Sequence, residues 1–264
     1  MMKTNKRIHL ITLVFTAVSI LLLASCSRYY YQPNAVSMPM LKDKNDANLA
    51  VNGRLGTGSA DNNRDYSSVF NFHGAYSPVK YLGLMTTLST YNYSMANEDP
   101  STGDVDAYAM LFEGGVGGYY PIFERSNGLA LIADTYVGYG GGRLNSDVNM
   151  RFNRTFIQPG IHLRFSFVDV GIALRYSGIK YTNFDANGMS EEYIENQGLT
   201  NITDGRKSFF EPAFTIRGGY KFIKGQFQIV GATPMHEDKW KSNKSLVTFG
   251  VFFSIDELIK FKNR

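Results

Sequence analysis

The sequence predicts an all-β chain, an antiparallel up-and-down transmembrane β-barrel of about ten strands. Three observations predict it. Apolar and polar residues alternate with a period of two along many short stretches, which is a strand signature. The connections between those stretches alternate between short turns and long polar loops. The two faces also differ in content: one is thick with Phe, Tyr, Leu, Ile and Val, and the other carries small residues with isolated charges of both signs. A soluble barrel alternates too, with its polar side facing water, so the contents of the faces decide. Lys, the usual solvent-face residue of strands, lies mostly in loops and turns, so the ionic side reads as enclosed and the oily side as facing lipid.

The clearest case is a hairpin over 155–176. Thr155, Ile157, Pro159, Ile161, Leu163 and Phe165, then Val168, Val170, Ile172, Leu174 and Tyr176, make one largely apolar face. Phe156, Gln158, Gly160, His162, Arg164, Asp169, Gly171, Ala173 and Arg175 make the other. With a tip at Ser166 and Phe167, Arg164 falls opposite Asp169, His162 opposite Gly171, Gln158 opposite Arg175 and Leu163 opposite Val170. A slip of one residue on a single strand would mix the faces.

The same logic runs along the chain. A first strand is expected over 48–56 and a second over 65–76, with Asn71 and His73 inward. After a turn at 77–80, Met85, Tyr91 and Tyr93 share the lumen face of a third strand over 81–93. A fourth over 106–120 points Glu113 inward, and a fifth over 129–140 does the same with Asp134. Residues 141–153 are expected to loop back to the hairpin, and 182–207 is the longest loop. Strands over 208–220, 226–233 and 244–254 complete the set. Glu211 and Arg217 lie inward, and a turn at Phe222 and Ile223 sets Arg217 against Gln228. Pro159 and Pro212 each forfeit a ladder hydrogen bond and belong near strand ends or bulges. Short turns near 79, 124, 167 and 223 share one side, and polar loops near 61, 99, 146, 195 and 238 share the other. Both termini then fall on the short-turn side.

The 264 residues suffice for one such domain after removal of a leader. Mean hydropathy of -0.20 argues against a helical membrane protein, but alternating strands hide from such averages. The net charge of +4 is spread instead of gathered, which does not suggest nucleic acid. Lys3, Lys6 and Arg7 precede an apolar run over 8–22, in the order of a signal peptide. Leu23, Ala24, Ser25 and Cys26 then resemble the lipobox of bacterial lipoprotein signals. That resemblance implies a covalent lipid, palmitate among its acyl chains, on Cys26, the single cysteine. More than one acyl chain is needed for firm anchoring. The chain therefore divides into a signal peptide at 1–25, a lipid-anchored tether at 26–46, a barrel at 47–254 and a polar tail at 255–264. Tyr29, Tyr30 and Tyr31 in the tether fit either the membrane interface or a plug in the barrel mouth.

In its leader, its Gly- and aromatic-rich strands and its loop asymmetry, the chain resembles bacterial outer-membrane β-barrel proteins over 48–254. The resemblance implies residence in the cell outer membrane, in contact with its lipid, with short turns in the periplasm and long loops outside. The end departs from the pattern. Such proteins often finish on an aromatic residue, whereas here Phe253 is followed by a Lys-rich amphipathic tail, which leaves that role to Phe253 or Phe261.

Glu113, Asp134, His162, Arg164, Asp169, Arg175, Glu211 and Arg217 are the expected lumen network. They could line an ion path or bind a polar ligand. An internal network of paired charges is the simpler reading, because breaking a buried pair costs about 3–5 kcal/mol and a small barrel is largely filled by side chains. His73 and His162 lack a metal-ligand spacing, so neither metal nor cofactor is expected. His236, Glu237 and Asp238, with Asp104 and Asp106, invite comparison with omptin-type proteases, yet those motifs do not match residue by residue and a solvated acidic loop explains them. The glycine runs near 114–118 and 138–142 precede no helix and no Gly-Lys-Ser/Thr, so they are weak as phosphate loops, and curvature with room for neighbouring aromatics explains them more simply. The resulting expectation is a non-enzymatic outer-membrane lipoprotein with a structural or surface-interaction role through its long loops. A small pore or polar-ligand barrel, a soluble periplasmic lipid-anchored carrier and a rim hydrolase are the alternatives.

Overall fold

The computed structural model describes residues 30–57, 66–95, 105–125, 128–235 and 240–262. Cys26, Asp104, His236, Glu237 and Asp238 lie outside them. The described residues form ten long strands: β1 (Ala47–Thr57), β2 (Tyr66–Val79), β3 (Leu82–Met95), β4 (Val105–Glu124), β5 (Ala130–Asn145), β6 (Asn149–Arg164), β7 (Val168–Asp185), β8 (Lys207–Tyr220), β9 (Ile223–Gly231) and β10 (Ser245–Ser254). Each pairs antiparallel with its neighbours in sequence, and β1 pairs with β10, so the meander closes into a barrel with no free edge. A two-residue bridge, Thr233–Pro234, adds to β8 beyond the end of β9. Two short helices, α1 (Glu191–Asn196) and α2 (Ile255–Lys262), lie outside the wall.

The faces are those the alternation requires. Ile161 and Leu174 are 46% and 45% exposed, while Arg175 and Glu211 on the alternate face are 2% and 0% exposed. Phe70, Phe112, Val137, Phe214 and Phe249 continue the outward apolar belt around the circumference. A soluble carrier with an oily interior would show the reverse. The hairpin register also holds: Arg164 pairs with Asp169, His162 with Gly171 and Leu163 with Val170. On β3, Met85 and Tyr93 are buried inward as expected.

Several boundaries differ from the sequence expectation. Residues 141–153 are almost all strand, leaving only 146–148 as a connection. The glycines that read as a loop are strand residues in close approach: a Cβ on Gly140 or Gly142 would lie 2.4 Å from the carbonyl oxygen of Phe112 or Met110 on β4. The β2–β3 turn sits at Lys80 and Tyr81, with Tyr81 at φ 70°, so β2 continues through Val79. The β8–β9 turn sits at Lys221 and Phe222, which sets Arg217 opposite Gln226 instead of Gln228. A shift of two leaves both faces unchanged, so alternation could not detect it. The stretch expected as the longest loop is also partly ordered. β7 runs on to Asp185, Ser190 caps α1 by accepting from the Tyr193 amide at 3.1 Å, and Leu199 and Ile202 are buried.

The largest departure concerns 30–46. Of the two places open to Tyr30 and Tyr31, the structure takes the mouth, and the stretch that follows is no free tether: Ala35, Val36, Met38, Met40 and Leu41 are each no more than 2% exposed, inside the barrel.

Candidate functional site

The site is the lumen and the strap that runs through it. Pro33 and Pro39 fix their own φ and bias Gln32 and Met38, the residues before them, towards extended backbone. An extended strand inside a barrel has no ladder of its own, so its polar groups need side chains from the wall. They have them. Arg175 Nη2 donates to the Asn34 carbonyl at 3.3 Å and the Ala35 amide donates to Asn71 Oδ1 at 3.2 Å. Gln228 bonds both the N–H and the C=O of Val36, each at 2.8 Å. Gln158 reaches the Ser37 carbonyl at 2.7 Å, Arg217 that of Met38 at 2.7 Å, Asn48 that of Pro39 at 2.7 Å, and Arg164 that of Met40 at 2.9 Å. Between these bonds Val36, Met38 and Met40 pack on Val69, Ala173, Ala213, Val230 and Leu246, and Leu41 packs against Met85, Ile132 and Tyr136. The small residues of the inner face make room for the strap.

One end of the strap carries a charge cluster. Glu211 accepts from Arg154 Nη2, from Arg175 Nε at 2.8 Å, from Ser177 Oγ at 2.9 Å and from the Tyr31 hydroxyl. Asn34 sits across it: its Oδ1 accepts from Arg154 and Arg175 at 2.7 and 2.8 Å, and its Nδ2 donates to Glu113 Oε2 at 2.9 Å and Ser89 Oγ at 3.2 Å. Two guanidinium and two carboxylate groups thus meet without net charge, which is what burial demands. Towards the short-turn end, Lys224 pairs with Asp169 at 2.8 Å and His162 Nε2 meets Asp134 Oδ2 at 2.8 Å. Arg217 also donates to Gln226 at 2.8 Å and lies over the Phe252 ring at 4.0 Å.

Described residues pack around the strap at both mouths. At the long-loop mouth Tyr31 stacks on Phe209, and Tyr30, Tyr181, Leu199, Ile202 and Trp240 pack with them. At the short-turn mouth Asp46 accepts the Lys42 and Asp43 amides at 2.9 and 3.0 Å, and Lys42 pairs with Glu124 at 2.6 Å. Burial raises the Asp46 carboxyl above its ordinary pKa, with those two amides and Arg164 acting in the opposite direction.

All eight expected lumen residues point inward, in separate groups instead of one network, with Arg164 half-buried and the others enclosed. Sequence reasoning missed Arg154, Lys224 and Asn34. Arg154 lies one step of two before Phe156, so carrying the alternation of β6 one step further would have found it. Lys224 was missed because the ninth strand was begun at residue 226, whereas β9 starts at Ile223. Asn34 carries no periodic signal, because its partners Ser89, Glu113, Arg154 and Arg175 come from four separated positions. The His162–Asp134 pair is not presented to any substrate: its side chains are 0% and 1% exposed, and Met38 and Met40 lie against Gly171 beside the ring. A cavity of about 60 Å³ flanks the strap between Tyr91, Leu111 and Phe152, well short of the roughly 300 Å³ at which small-molecule pockets begin.

Fold and site together define a class: a closed ten-stranded antiparallel barrel occupied by its own N-terminal segment. No family model matches the chain, and no curated protein matches it. Among solved structures, an outer membrane channel from Pseudomonas putida F1 is 9% identical over 84% of this chain and 99% of that one, with a TM-score of 0.38. The transport unit of the autotransporter AIDA-I from Escherichia coli is 10% identical over 83% and 92%, with a TM-score of 0.40. The outer membrane protease OmpT from Escherichia coli is 13% identical over 83% and 99%, with a TM-score of 0.29. Nothing about the role of this chain follows from likenesses so slight.

Proposed function

We propose that this chain is an outer-membrane β-barrel lipoprotein, non-enzymatic and sealed by its own strap, with a structural or surface-interaction role at its long-loop end. The observation that carries the reading is the strap: wall side chains bond its backbone from Asn34 to Met40, and a lumen so occupied is not built to pass solutes. Placement in a membrane is supported by the apolar belt on the outer wall, far larger than the patches of a few hundred Å² usual on soluble monomers. The lipoprotein part rests on the order of basic, apolar and lipobox residues before Cys26.

Conductance in planar bilayers tests it. The purified full chain should give no single-channel steps, and a variant lacking 33–40 should give them. Steady steps from the full chain at modest voltage would establish a pore instead.

A further inference from the structure

The direction in which the strap runs says which face of the membrane the lipid occupies. Tyr30 is held at the long-loop mouth, its hydroxyl donating to Asp147 Oδ2 at 2.8 Å and its amide to the Lys241 carbonyl at 3.0 Å. Tyr31 forms a parallel bridge with Ser242. Asp147 belongs to the β5–β6 connection, and Lys241 and Ser242 to the β9–β10 connection. At the other end Lys42 pairs with Glu124, and the Asn45 amide donates to the Ser77 carbonyl at 2.8 Å, both partners lying beside short turns. The strap therefore crosses the whole barrel before β1 begins. Whatever precedes Tyr30 is attached on the long-loop side, opposite the end of β10.

Four Cα-to-Cα steps link Cys26 to Tyr30, a reach of about 14 Å when fully extended. That cannot lead back across a wall whose apolar band is about 25 Å tall, and the lumen is already occupied. We infer that the acylated Cys26 emerges on the long-loop face, so that its lipid inserts in the outer leaflet and the mature N-terminus stands at the cell surface. The loop pattern in the sequence had put both termini on the short-turn side, without choosing a leaflet for the lipid. The inference rests on the barrel-lipoprotein reading above.

The test uses the chain's single cysteine. In a lipoprotein the Cys26 thiol is consumed as a thioether, so an introduced cysteine is the only free thiol. Arg28→Cys, Ser101→Cys in the β3–β4 loop and Ser126→Cys in the β4–β5 turn are treated in intact cells with a maleimide that cannot cross the outer membrane. Arg28→Cys and Ser101→Cys should label, and Ser126→Cys should label only after permeabilisation. If Arg28→Cys labels only after permeabilisation while Ser101→Cys labels in intact cells, the strap direction is overturned and the barrel reading stands. If Ser101→Cys is also silent in intact cells, the outward placement of the long loops fails, and this inference with it. Labelling of the denatured wild-type chain would show a free Cys26 thiol and remove the lipid from both.

Discussion

Gln228 holds Val36 by both ends of its side-chain amide, Oε1 accepting from the Val36 N–H and Nε2 donating to the Val36 carbonyl, each at 2.8 Å. Thr215 Oγ1 takes a further bond from the same Nε2 at 2.6 Å, which fixes the amide plane against the wall of β8. A side chain thereby replaces the neighbouring strand that Val36 lacks. Gln228→Leu keeps the bulk and strands both backbone groups, at about 1–3 kcal/mol for each orphan. Thermal unfolding in detergent should move down by several degrees, and the strap should become cleavable by added protease while the barrel stays intact. An unchanged melting profile with a protected strap would show that Val36 is held by packing alone.

The Arg154–Glu211 contact should be coupled and not additive. Removing one partner leaves a buried charge without its counterion, at about 3–5 kcal/mol, so Glu211→Leu and Arg154→Leu should each destabilise by that order. The double variant should be less damaging than the sum of the two, with an interaction energy of at least about 1 kcal/mol in a double-mutant cycle. Equal effects that simply add would mean that Arg175 and Asn34 already neutralise each side independently.

How much of this was legible in the sequence follows from what a period of two can carry. Which face of β6, β7 and β8 is oily is fixed by residues such as Ile161, Ile172 and Phe214, and one-residue slips are excluded by Arg164 against Asp169. Two-residue slips change nothing in that pattern, which is why Arg217 was set against Gln228 instead of Gln226; Lys224 was left out of the lumen because the strand was begun at residue 226 instead of 223. The strap was illegible for a different reason. Its residues Val36, Met38 and Met40 are surrounded on all sides, and of its wall partners Asn71, Gln158 and Gln228 are uncharged and scattered along the chain, while Arg164, Arg175 and Arg217 read as members of a charge network among themselves. A Pro-containing segment without a period reads as a linker until the wall that satisfies its backbone is in view.

Gly171 is where the wall leaves room for the strap. A Cβ there would stand 2.6 Å from His162 Nδ1 and 2.6 Å from Met40 Cε, so neither the wall side nor the strap side has space for one. Gly171→Val should destabilise by about 1–3 kcal/mol through overpacking. Met40→Ala, itself destabilising in the wild-type background, should recover part of the loss when combined with Gly171→Val. Melting temperatures of the four proteins decide it: no recovery in the double variant would place the collision on His162 alone and take Met40 out of the contact.

Ile161, Ile172 and Phe214 form a row of paired residues across β6, β7 and β8, exposed by 46%, 47% and 40%. Such a row has two possible surroundings, and they differ in what a charge would cost. On a water-facing wall, Ile172→Arg falls among surface substitutions that stay within about 0.5 kcal/mol. On a lipid-facing wall it puts a guanidinium into hydrocarbon, at about 2–4 kcal/mol near the bilayer midplane and less towards the interfaces. Ile172→Arg and Ile172→Leu, unfolded by guanidinium from lipid vesicles, should therefore separate by about 2 kcal/mol or more, with Ile172→Leu near wild type. The same pair in a chain carrying Cys26→Ala and a cleavable signal should keep that gap and still require detergent for extraction, because the belt and not the acyl group sets both. A gap that vanishes, together with release of the Cys26→Ala chain into buffer, would put water against the belt and leave the lipid as the sole membrane contact.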